Sequence, residues 1–436
     1  MYGFALTIAI ALAGLSLFQL GLAIVFFVRT RKALARRESV GRTPLPAVPN
    51  AVRGCTTYPK AAILLALRGA DPHLALGLKR LMRQDYPNYE LRIVVDGQTD
   101  PAWDMVHRSI GESRAVNVRV GTLRDRPAQC SLHCASLVQP AGELDESTEL
   151  FVLADGDIVA HASWLSELAA PILRGEVDAT TGNRWYMPPR GRFGSIVRYV
   201  WNAAAVVSMY FFGIPWGGTF AGRTKDLRRS GLIDKWSKSL AVDASICECW
   251  RALGLRIGFV PSLMMINREE CDLIGGFIFL SRQLLWTRLY QPRSSWWPIV
   301  CHAFAMSAAL AASLGLSFYG ILAGNSAIAW AALGSLAVYL TTMVFSLLLL
   351  ELRVRGIARQ RDSAASRMSP AVPLRLVCAV LVTPLIHLLA IGHVLVERKL
   401  HWRGAVYDIR SAFDVRKIDD RPLRQSDQPA DPAHSI

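Results

Sequence analysis

Acidic side chains that directly follow apolar runs are the first candidates for chemistry in this sequence. Asp155 and Asp157, separated by one glycine, come after the apolar run Leu150–Ala154. Carboxylates at the end of a buried run are costly unless a partner compensates their charge. Two carboxylates at this spacing can share a hard divalent cation, Mg²⁺ or Mn²⁺, which in turn neutralises a diphosphate. The pair therefore predicts a metal and diphosphate site, although an isolated Asp-Gly-Asp triplet more often forms a turn.

Two other aspartates stand at the ends of predicted elements. Asp96 follows the run Leu91–Val95, where it either forms a turn or accepts hydrogen bonds from a uracil or a ribose. Asp243 opens a predicted helix that continues to Leu253. It is either a helix cap or a base that removes a proton from a hydroxyl group. The local sequence leaves both choices open.

Alternating strands and helices position these residues. The predicted strands are 61–67, 91–95, 116–120 and 150–154, and the predicted helices among them are 72–84 and 101–111. This alternation is typical of an α/β domain with a mostly parallel sheet. Ligands bind such sheets at the carboxyl ends of the strands, so we expect Arg68, Asp96, Asp155 and Asp157 to meet at one edge.

Composition indicates that part of the chain lies in a membrane. Of the 436 residues, 52% are hydrophobic and only 19% are charged, against about 25% charged in soluble domains. Phe4–Val28 is an uncharged run long enough to cross a bilayer, and basic residues follow it from Arg29 to Arg37. We expect an uncleaved anchor whose C-terminal flank lies in the cytoplasm. The apolar content excludes global disorder, and eight cysteines spread over so long a chain exclude a secreted disulfide scaffold.

Three later apolar runs predict further membrane helices. Trp296–Leu322 and Ala327–Leu350 are joined by a short uncharged turn and predict a helical hairpin. The third run, Leu376–Val396, contains Pro384. A full crossing by this run would place the basic tail outside the cytoplasm, against the charge rule, whereas a kink at Pro384 would return the tail. We expect a full crossing and keep the re-entrant segment as the alternative.

An ordered series of motifs runs through the α/β segment. It comprises Leu67–Leu74, Gln84–Glu90, Asp96 with Asp100–Ala102, Asp155 with Asp157, Thr181–Tyr186 and Gly254–Pro261. In this order the motifs resemble the membrane-bound family 2 glycosyltransferases of GT-A fold. The resemblance is greatest to the ceramide glucosyltransferase branch and its bacterial lipid-glycosylating relatives. It spans residues 59–290, which is over half of the chain.

The resemblance implies a role for each position. Asp96 would bind the nucleotide base, Asp155 and Asp157 would hold the nucleotide and its Mg²⁺ or Mn²⁺, and Asp243 would accept the proton of the acceptor hydroxyl. Arg68 would join the nucleotide-sugar site. Such enzymes invert the anomeric carbon in a single displacement. The implied reaction moves a sugar from a UDP-sugar to a lipid acceptor at the cytoplasmic face of a bacterial inner membrane.

Two positions depart from the pattern of the resembled family. That family has Gln or Arg, two residues, and then Arg-Trp beside the leaving diphosphate. Here Arg282 and Trp286 are kept, Leu285 replaces the second arginine, and Arg288 is a nearby substitute. His133 stands where relatives commonly place a lysine near the nucleotide. Two alternatives stay open: a processive polysaccharide synthase, which Leu285 disfavours, and a non-catalytic protein that binds a nucleotide-sugar, which both departures favour.

The chain divides into six predicted segments. They are an N-terminal anchor (1–29), a basic linker (30–58), a GT-A catalytic domain (59–265), interfacial helices (266–295), C-terminal transmembrane helices (296–397) and an interfacial segment with a polar tail (398–436). We assign the net charge of +15 mainly to loops beside the membrane, where basic residues face anionic lipid. Because the basic residues do not cluster on one soluble face, nucleic-acid binding is not expected.

Overall fold

The computed structural model describes residues 1–39, 48–49, 56–361, 372–421 and 423. Its helices are α1 (Tyr2–Ser39), α2 (Leu74–Leu81), α3 (Pro101–Ser113), α4 (Leu132–Gly142), α5 (Trp164–Leu173), α6 (Phe193–Phe212), α7 (Thr224–Arg229), α8 (Leu232–Trp236), α9 (Val242–Ala252), α10 (Leu273–Tyr290), α11 (Arg293–Leu322), α12 (Ser326–Gln360) and α13 (Val372–Val396). Its strands are β1 (Val48–Pro49), β2 (Thr56–Thr57), β3 (Lys60–Leu67), β4 (Tyr89–Val95), β5 (Val118–Thr122), β6 (Thr148–Ala154), β7 (Ala179–Tyr186), β8 (Thr219–Arg223), β9 (Ile257–Asn267), β10 (Lys399–Trp402), β11 (Ala405–Ser411) and β12 (Asp414–Asp420). Much of the predicted basic linker and of the polar tail lies outside the described residues.

A seven-stranded sheet forms the centre of the α/β domain, in the order β5-β4-β3-β6-β8-β7-β9. Neighbouring strands are parallel except where β8 pairs with β6 and with β7. The α/β class with a mostly parallel sheet is therefore confirmed. The register pairs Leu67 of β3 with Val95 of β4, so the next residues, Arg68 and Asp96, leave the sheet side by side.

Both faces of the central part of this sheet are buried, because β3 and β6 are apolar along most of their length. In β3, Ala62 and Leu64 contribute to one apolar cluster, whereas Ile63 and Leu65 contribute to the other. This alternation follows from the two-residue period of a strand. Helices α2, α3 and α5 cover one face, and α4, α6 and α10 supply side chains to the cluster on the other. Only the strand ends are left open to a ligand.

Four of the described helices are long and apolar enough to cross a membrane, namely α1, α11, α12 and α13. The prediction of one such helix at the N-terminus and three in the C-terminal part is confirmed. A hydrogen bond of 3.0 Å joins Gln19 of α1 to His302 of α11. In the α11–α12 hairpin, Gly320 approaches Ala329 so closely that a side chain at residue 320 would meet its backbone nitrogen.

The chain after α13 folds back onto the α/β domain. Strands β10, β11 and β12 form an antiparallel sheet, which we call the tail sheet. The Lys417 amide donates to the Ala128 carbonyl at 2.6 Å, and the Tyr407 hydroxyl accepts from the Leu132 amide at 3.1 Å. At the other end of α13, the Arg375 guanidinium donates to the Gly191 carbonyl at 2.8 Å. Both ends of α13 therefore contact the same domain.

These contacts do not fit the expected full crossing of Leu376–Val396. A crossing helix would separate the tail from the α/β domain by the thickness of a bilayer. The helix instead contains Pro384, whose carbonyl accepts a hydrogen bond of 2.8 Å from the Ser307 hydroxyl of α11. A helix whose two ends both lie on the side of the α/β domain, as in the alternative to a full crossing, agrees with these contacts. It also keeps the basic residues of the tail on the side of the α/β domain, as the charge rule requires.

Candidate active site

A polar cavity opens at the carboxyl ends of β3, β4 and β6. The predicted site residues that line it are Arg68, Asp96, His133, Asp155, Asp157, Asp243, Arg282 and Trp286. Arg288 of α10 is half-buried and is not among the lining residues. Side chains from six separate parts of the sequence thus meet in one place, as the topology of a parallel sheet predicts.

Asp155 and Asp157 leave the end of β6 with Gly156 between them. A Cβ atom at residue 156 would lie 2.8 Å from a terminal methyl group of Leu67, so a larger residue here would displace that side chain. One oxygen of Asp157, Oδ2, accepts hydrogen bonds of 3.0 Å from Arg184 and from Asn267. The other oxygen, Oδ1, is buried without a hydrogen-bond partner. Asp157 therefore presents one unsatisfied acceptor inside the cavity.

The two carboxylates repel each other electrostatically. Burial raises the pKa of Asp155 to about 8, and the nearby carboxylate of Asp157 adds to the effect. The described residues contain no cluster of three or more His, Cys, Asp or Glu side chains that could hold a metal ion. Two carboxylates with an unpaired oxygen suit a hard cation that takes its remaining ligands from water and substrate phosphates. The residues present fit Mg²⁺ or Mn²⁺ bound in that way.

Asp243 lies in the first turn of α9 and lines the same cavity. The N-cap of this helix is Ala241, and the helix has no side-chain cap, so Asp243 does not serve as the cap. Burial raises the pKa of the Asp243 carboxyl, while a hydrogen bond from the Gly217 amide opposes the shift. A Cβ atom at residue 217 would lie 2.5 Å from Asp243 Oδ1, so a larger residue here would displace the carboxylate. Asp243 is a positioned carboxylate with raised proton affinity.

Asp96 is held by two arginines. Arg68 Nη1 donates to Asp96 Oδ2 at 2.9 Å, and Arg126 Nη1 lies 3.0 Å from Asp96 Oδ1. The loop that carries Arg68 is fixed by Asp100, which caps α3 through the Ala102 amide and also accepts from the Gly69 amide. The remaining donors of Arg68 bind the tail sheet and the chain after it, so this side chain orients Asp96.

The tail sheet closes one side of the cavity. Arg403, at the turn between β10 and β11, donates to both oxygens of Asp71 at 2.9 and 3.1 Å. Trp402 stacks on the ring of His133, with centroids 5.6 Å apart. Sequence reasoning missed Asp71, Arg126 and Arg403. The alternation of apolar and polar residues in 399–420 could have revealed that strands continue after the last apolar run.

Leu285 and His133, the two positions that depart from the pattern of the resembled family, are buried and half-buried, respectively. Leu285 is only 3% exposed and packs in the apolar core, so it does not face the cavity. Burial lowers the pKa of His133 to about 4, so this ring is neutral at physiological pH and does not supply the charge of a lysine.

Arg282 lines the cavity, and its guanidinium forms no ion pair with the described residues. No carboxylate of the described residues lies within ion-pair distance of its guanidinium, which instead faces the rings of Phe279 and Trp402 at 5.8 and 5.7 Å. Burial lowers its pKa to about 10, and the neighbouring charge of Arg184 adds to this. An unpaired arginine at this depth is suited to bind an anionic group of a ligand.

A second group of side chains that sequence reasoning missed surrounds Tyr186. The guanidinium of Arg198 lies 4.1 Å from the centroid of this ring, and that of Arg184 lies 5.4 Å from it. Arg198 Nη1 is 4.0 Å from the Glu269 carboxylate. Burial, together with the carboxylates of Asp157 and Asp71, raises the pKa of Glu269 to about 7.

Comparison with known proteins adds an independent finding. The family described as glycosyl transferase family 21 matches residues 19–414 of this chain. No match was found among curated protein sequences.

The chain is similar to two solved structures of other proteins. One is a mannosyltransferase from Pyrobaculum calidifontis in complex with GDP-Man and Mn²⁺, with 16% identity, 88% of this chain and 99% of that chain covered, and a TM-score of 0.41. The other is glucosyl-3-phosphoglycerate synthase from Mycobacterium tuberculosis in complex with Mn²⁺ and UDP-glucose, with 16% identity, 52% and 78% covered, and a TM-score of 0.34.

Proposed function

The chain belongs to glycosyl transferase family 21, and we propose that it moves one sugar from a UDP-sugar to a hydroxyl group of a membrane lipid, as in the ceramide glucosyltransferase branch. That it is a glycosyltransferase follows from the family. The donor and the acceptor are our proposal. The observation that carries it is the meeting of Asp96, Asp155, Asp157 and Asp243 in one cavity that also contains the unpaired Arg282.

Asp243 is the proposed catalytic base. Its carboxylate accepts the proton of the acceptor hydroxyl while the hydroxyl oxygen attacks the anomeric carbon, and the nucleoside diphosphate leaves from the opposite face. A base with raised proton affinity is better matched to this task than an ordinary aspartate. The Gly217 amide keeps the carboxylate in place. One displacement inverts the anomeric centre, and no covalent sugar intermediate is required.

Negative charge develops on the leaving diphosphate. Asp155 and Asp157 would hold Mg²⁺ or Mn²⁺, which when bound supplies electrostatic stabilisation of that charge. Arg282 adds a fixed cation that no acid of the described chain neutralises. Asp96, oriented by Arg68 and Arg126, would accept a hydrogen bond from the uracil of the donor.

Exposed apolar residues on α6 and α10, two helices that also contribute residues to the cavity, support a lipid acceptor. Phe212 at the end of α6 and Ile274 and Ile278 on α10 are large apolar residues that are 45%, 69% and 47% exposed. Exposed apolar residues on helices next to four candidate membrane helices are typical of a surface that contacts the bilayer. The basic residues Arg29 and Arg31 after the first apolar run support a cytoplasmic position of the domain, and we propose a bacterial inner membrane.

Labelled UDP-glucose, UDP-galactose and UDP-N-acetylglucosamine, incubated with membranes that contain the protein, test this proposal. Thin-layer chromatography should show one sugar added to a lipid. Asp243→Asn should reduce the rate by at least about 100-fold, whereas Asp234→Asn, at an exposed site on α8, should not. A sugar polymer would identify a processive synthase instead. Nucleotide binding with no transfer by any protein variant would identify a non-catalytic binding protein.

A further inference from the structure

We infer that Asp420, at the end of the tail sheet, is a positioning residue of the donor site that sets the orientation of Asp96 toward the nucleotide base. This inference rests on the proposed function, because it assigns a new residue to the same donor site.

The tail sheet is a fixed wall of the cavity. Its inward-facing residues are buried in the main apolar core of the protein; they are Leu400, Ala405, Tyr407, Ile409 and Val415. The intervening residues of β11 and β12 are half-buried or exposed. Together with the backbone hydrogen bond from Lys417 to Ala128, this packing makes the sheet an integral layer.

Asp420 and Asp96 share the same two arginines. Asp420 forms a bidentate pair with Arg126, at 2.9 Å from Nε and 2.8 Å from Nη2. Its Oδ1 also accepts from Arg68 Nη1 at 3.2 Å, and its Oδ2 accepts from Lys417 Nζ at 2.8 Å. Each arginine therefore connects one carboxylate of the α/β domain to one carboxylate of the tail sheet.

This sharing decides what Asp96 can still bind. Asp96 is 6% exposed and would face two arginine charges alone if Asp420 were neutral. Both guanidinium groups would then turn toward Asp96 and occupy the lone pairs that a base N–H needs, because a charged donor outcompetes a neutral one. With Asp420 ionised, Arg126 is held by two parallel hydrogen bonds from Nε and Nη2, and Asp96, which lines the cavity, keeps one oxygen, Oδ1, without a hydrogen-bond donor among the described residues.

Two neighbouring aspartates allow a matched experiment. Asp419→Asn is the control, because this side chain is 43% exposed, its ion pair is with the exposed Arg421, and asparagine keeps the side-chain oxygen that accepts from the Asp420 amide. Asp420→Asn removes the shared charge, and Asp420→Glu restores it. The dissociation constants of UDP and of magnesium pyrophosphate are measured by calorimetry on the full-length protein in detergent. Pyrophosphate reports the diphosphate site without the base.

Asp420→Asn should weaken UDP binding about tenfold and change pyrophosphate binding less than twofold, while Asp420→Glu recovers part of the loss. In an Asp96→Asn background, the effect of Asp420→Asn on UDP should disappear. Equal losses for UDP and pyrophosphate, or no difference from Asp419→Asn, would overturn the inference. If wild-type protein binds pyrophosphate but not UDP, the uridine donor of the proposed function fails, and the assignment of Asp420 fails with it.

Discussion

Arg68 and Arg403 hold each other's backbone although 335 residues separate them. Arg68 Nε donates to the carbonyl of Arg403 at 2.7 Å, and Arg403 Nη1 donates to the carbonyl of Arg68. Each side chain then continues to a carboxylate, Asp96 for Arg68 and Asp71 for Arg403. The first strand of the parallel sheet and the first turn of the tail sheet are thereby joined into one wall of the cavity.

Arg403→Ala should detach the tail sheet. The substitution removes the two hydrogen bonds to Asp71, which is 6% exposed and would remain as a buried charge without its arginine. Breaking such a pair costs about 3 kcal/mol. Hydrogen exchange of residues 399–420 should become faster, and the melting temperature should fall. Arg410→Ala, which removes only an exposed pair with Asp408, should change neither quantity.

Glu269→Gln should reduce the pH dependence of stability. Burial raises the pKa of Glu269 from its ordinary 4.5 to about 7, so the folded protein binds this proton more tightly than the unfolded chain. The resulting stabilisation is complete below pH 4.5 and is lost as the pH rises through about 7. Between pH 5 and 8, in chelator, the wild-type free energy of unfolding should fall by about 2 kcal/mol more than that of the variant.

The effect of added Mn²⁺ on thermal unfolding tests the same group of carboxylates around Glu269. Mn²⁺ bound at Asp155 and Asp157 would compensate the negative charge that accumulates near Glu269 as the pH rises. Thermal unfolding at pH 8 should therefore shift upward on addition of Mn²⁺, and Asp157→Asn should abolish the shift. An equal shift in wild type and Asp157→Asn would show that the cation binds elsewhere.

Leu285→Arg restores the residue that the family pattern would place beside Trp286, but we expect it to destabilise the protein. Leu285 is 3% exposed in an apolar core. An arginine there would be a buried charge without a partner, with a cost of several kcal/mol, about 4 or more. The melting temperature should fall and sugar transfer should not increase. Higher activity in this variant would mean that residue 285 reaches the diphosphate.

Reporter fusions should place the C-terminus on the same side of the membrane as the α/β domain. A reporter after Ile436 should be in the cytoplasm, because the tail sheet packs against that domain. A reporter inserted in the 323–326 turn between α11 and α12 should lie on the opposite side. Export of the C-terminal reporter would contradict the re-entrant course of α13.

Local sequence patterns predicted the strands of the sheet and the acidic residues at their ends, because both are determined by residues that are close together in the sequence. The apolar run 150–154 and the following Asp155 and Asp157 became β6 and its carboxyl end. The tail sheet was not predicted, because the residues that hold it in place lie far away in the sequence. Hydropathy alone also does not show on which side of the membrane helix 376–396 ends. The partners of Asp420 lie about 300 and 350 residues earlier. The clue was the basic tail, which violated the charge rule in a full crossing.

The position of the tail sheet after the candidate membrane helices has a consequence for biosynthesis. A ribosome releases Trp402, Arg403 and Asp420 only after every apolar helix has been made, and domains assemble from the N-terminus onward during synthesis. Until then the pocket lacks one of its sides. Nascent or truncated chains that lack the tail sheet would therefore not consume sugar nucleotide, and activity would begin only after the tail sheet has been made.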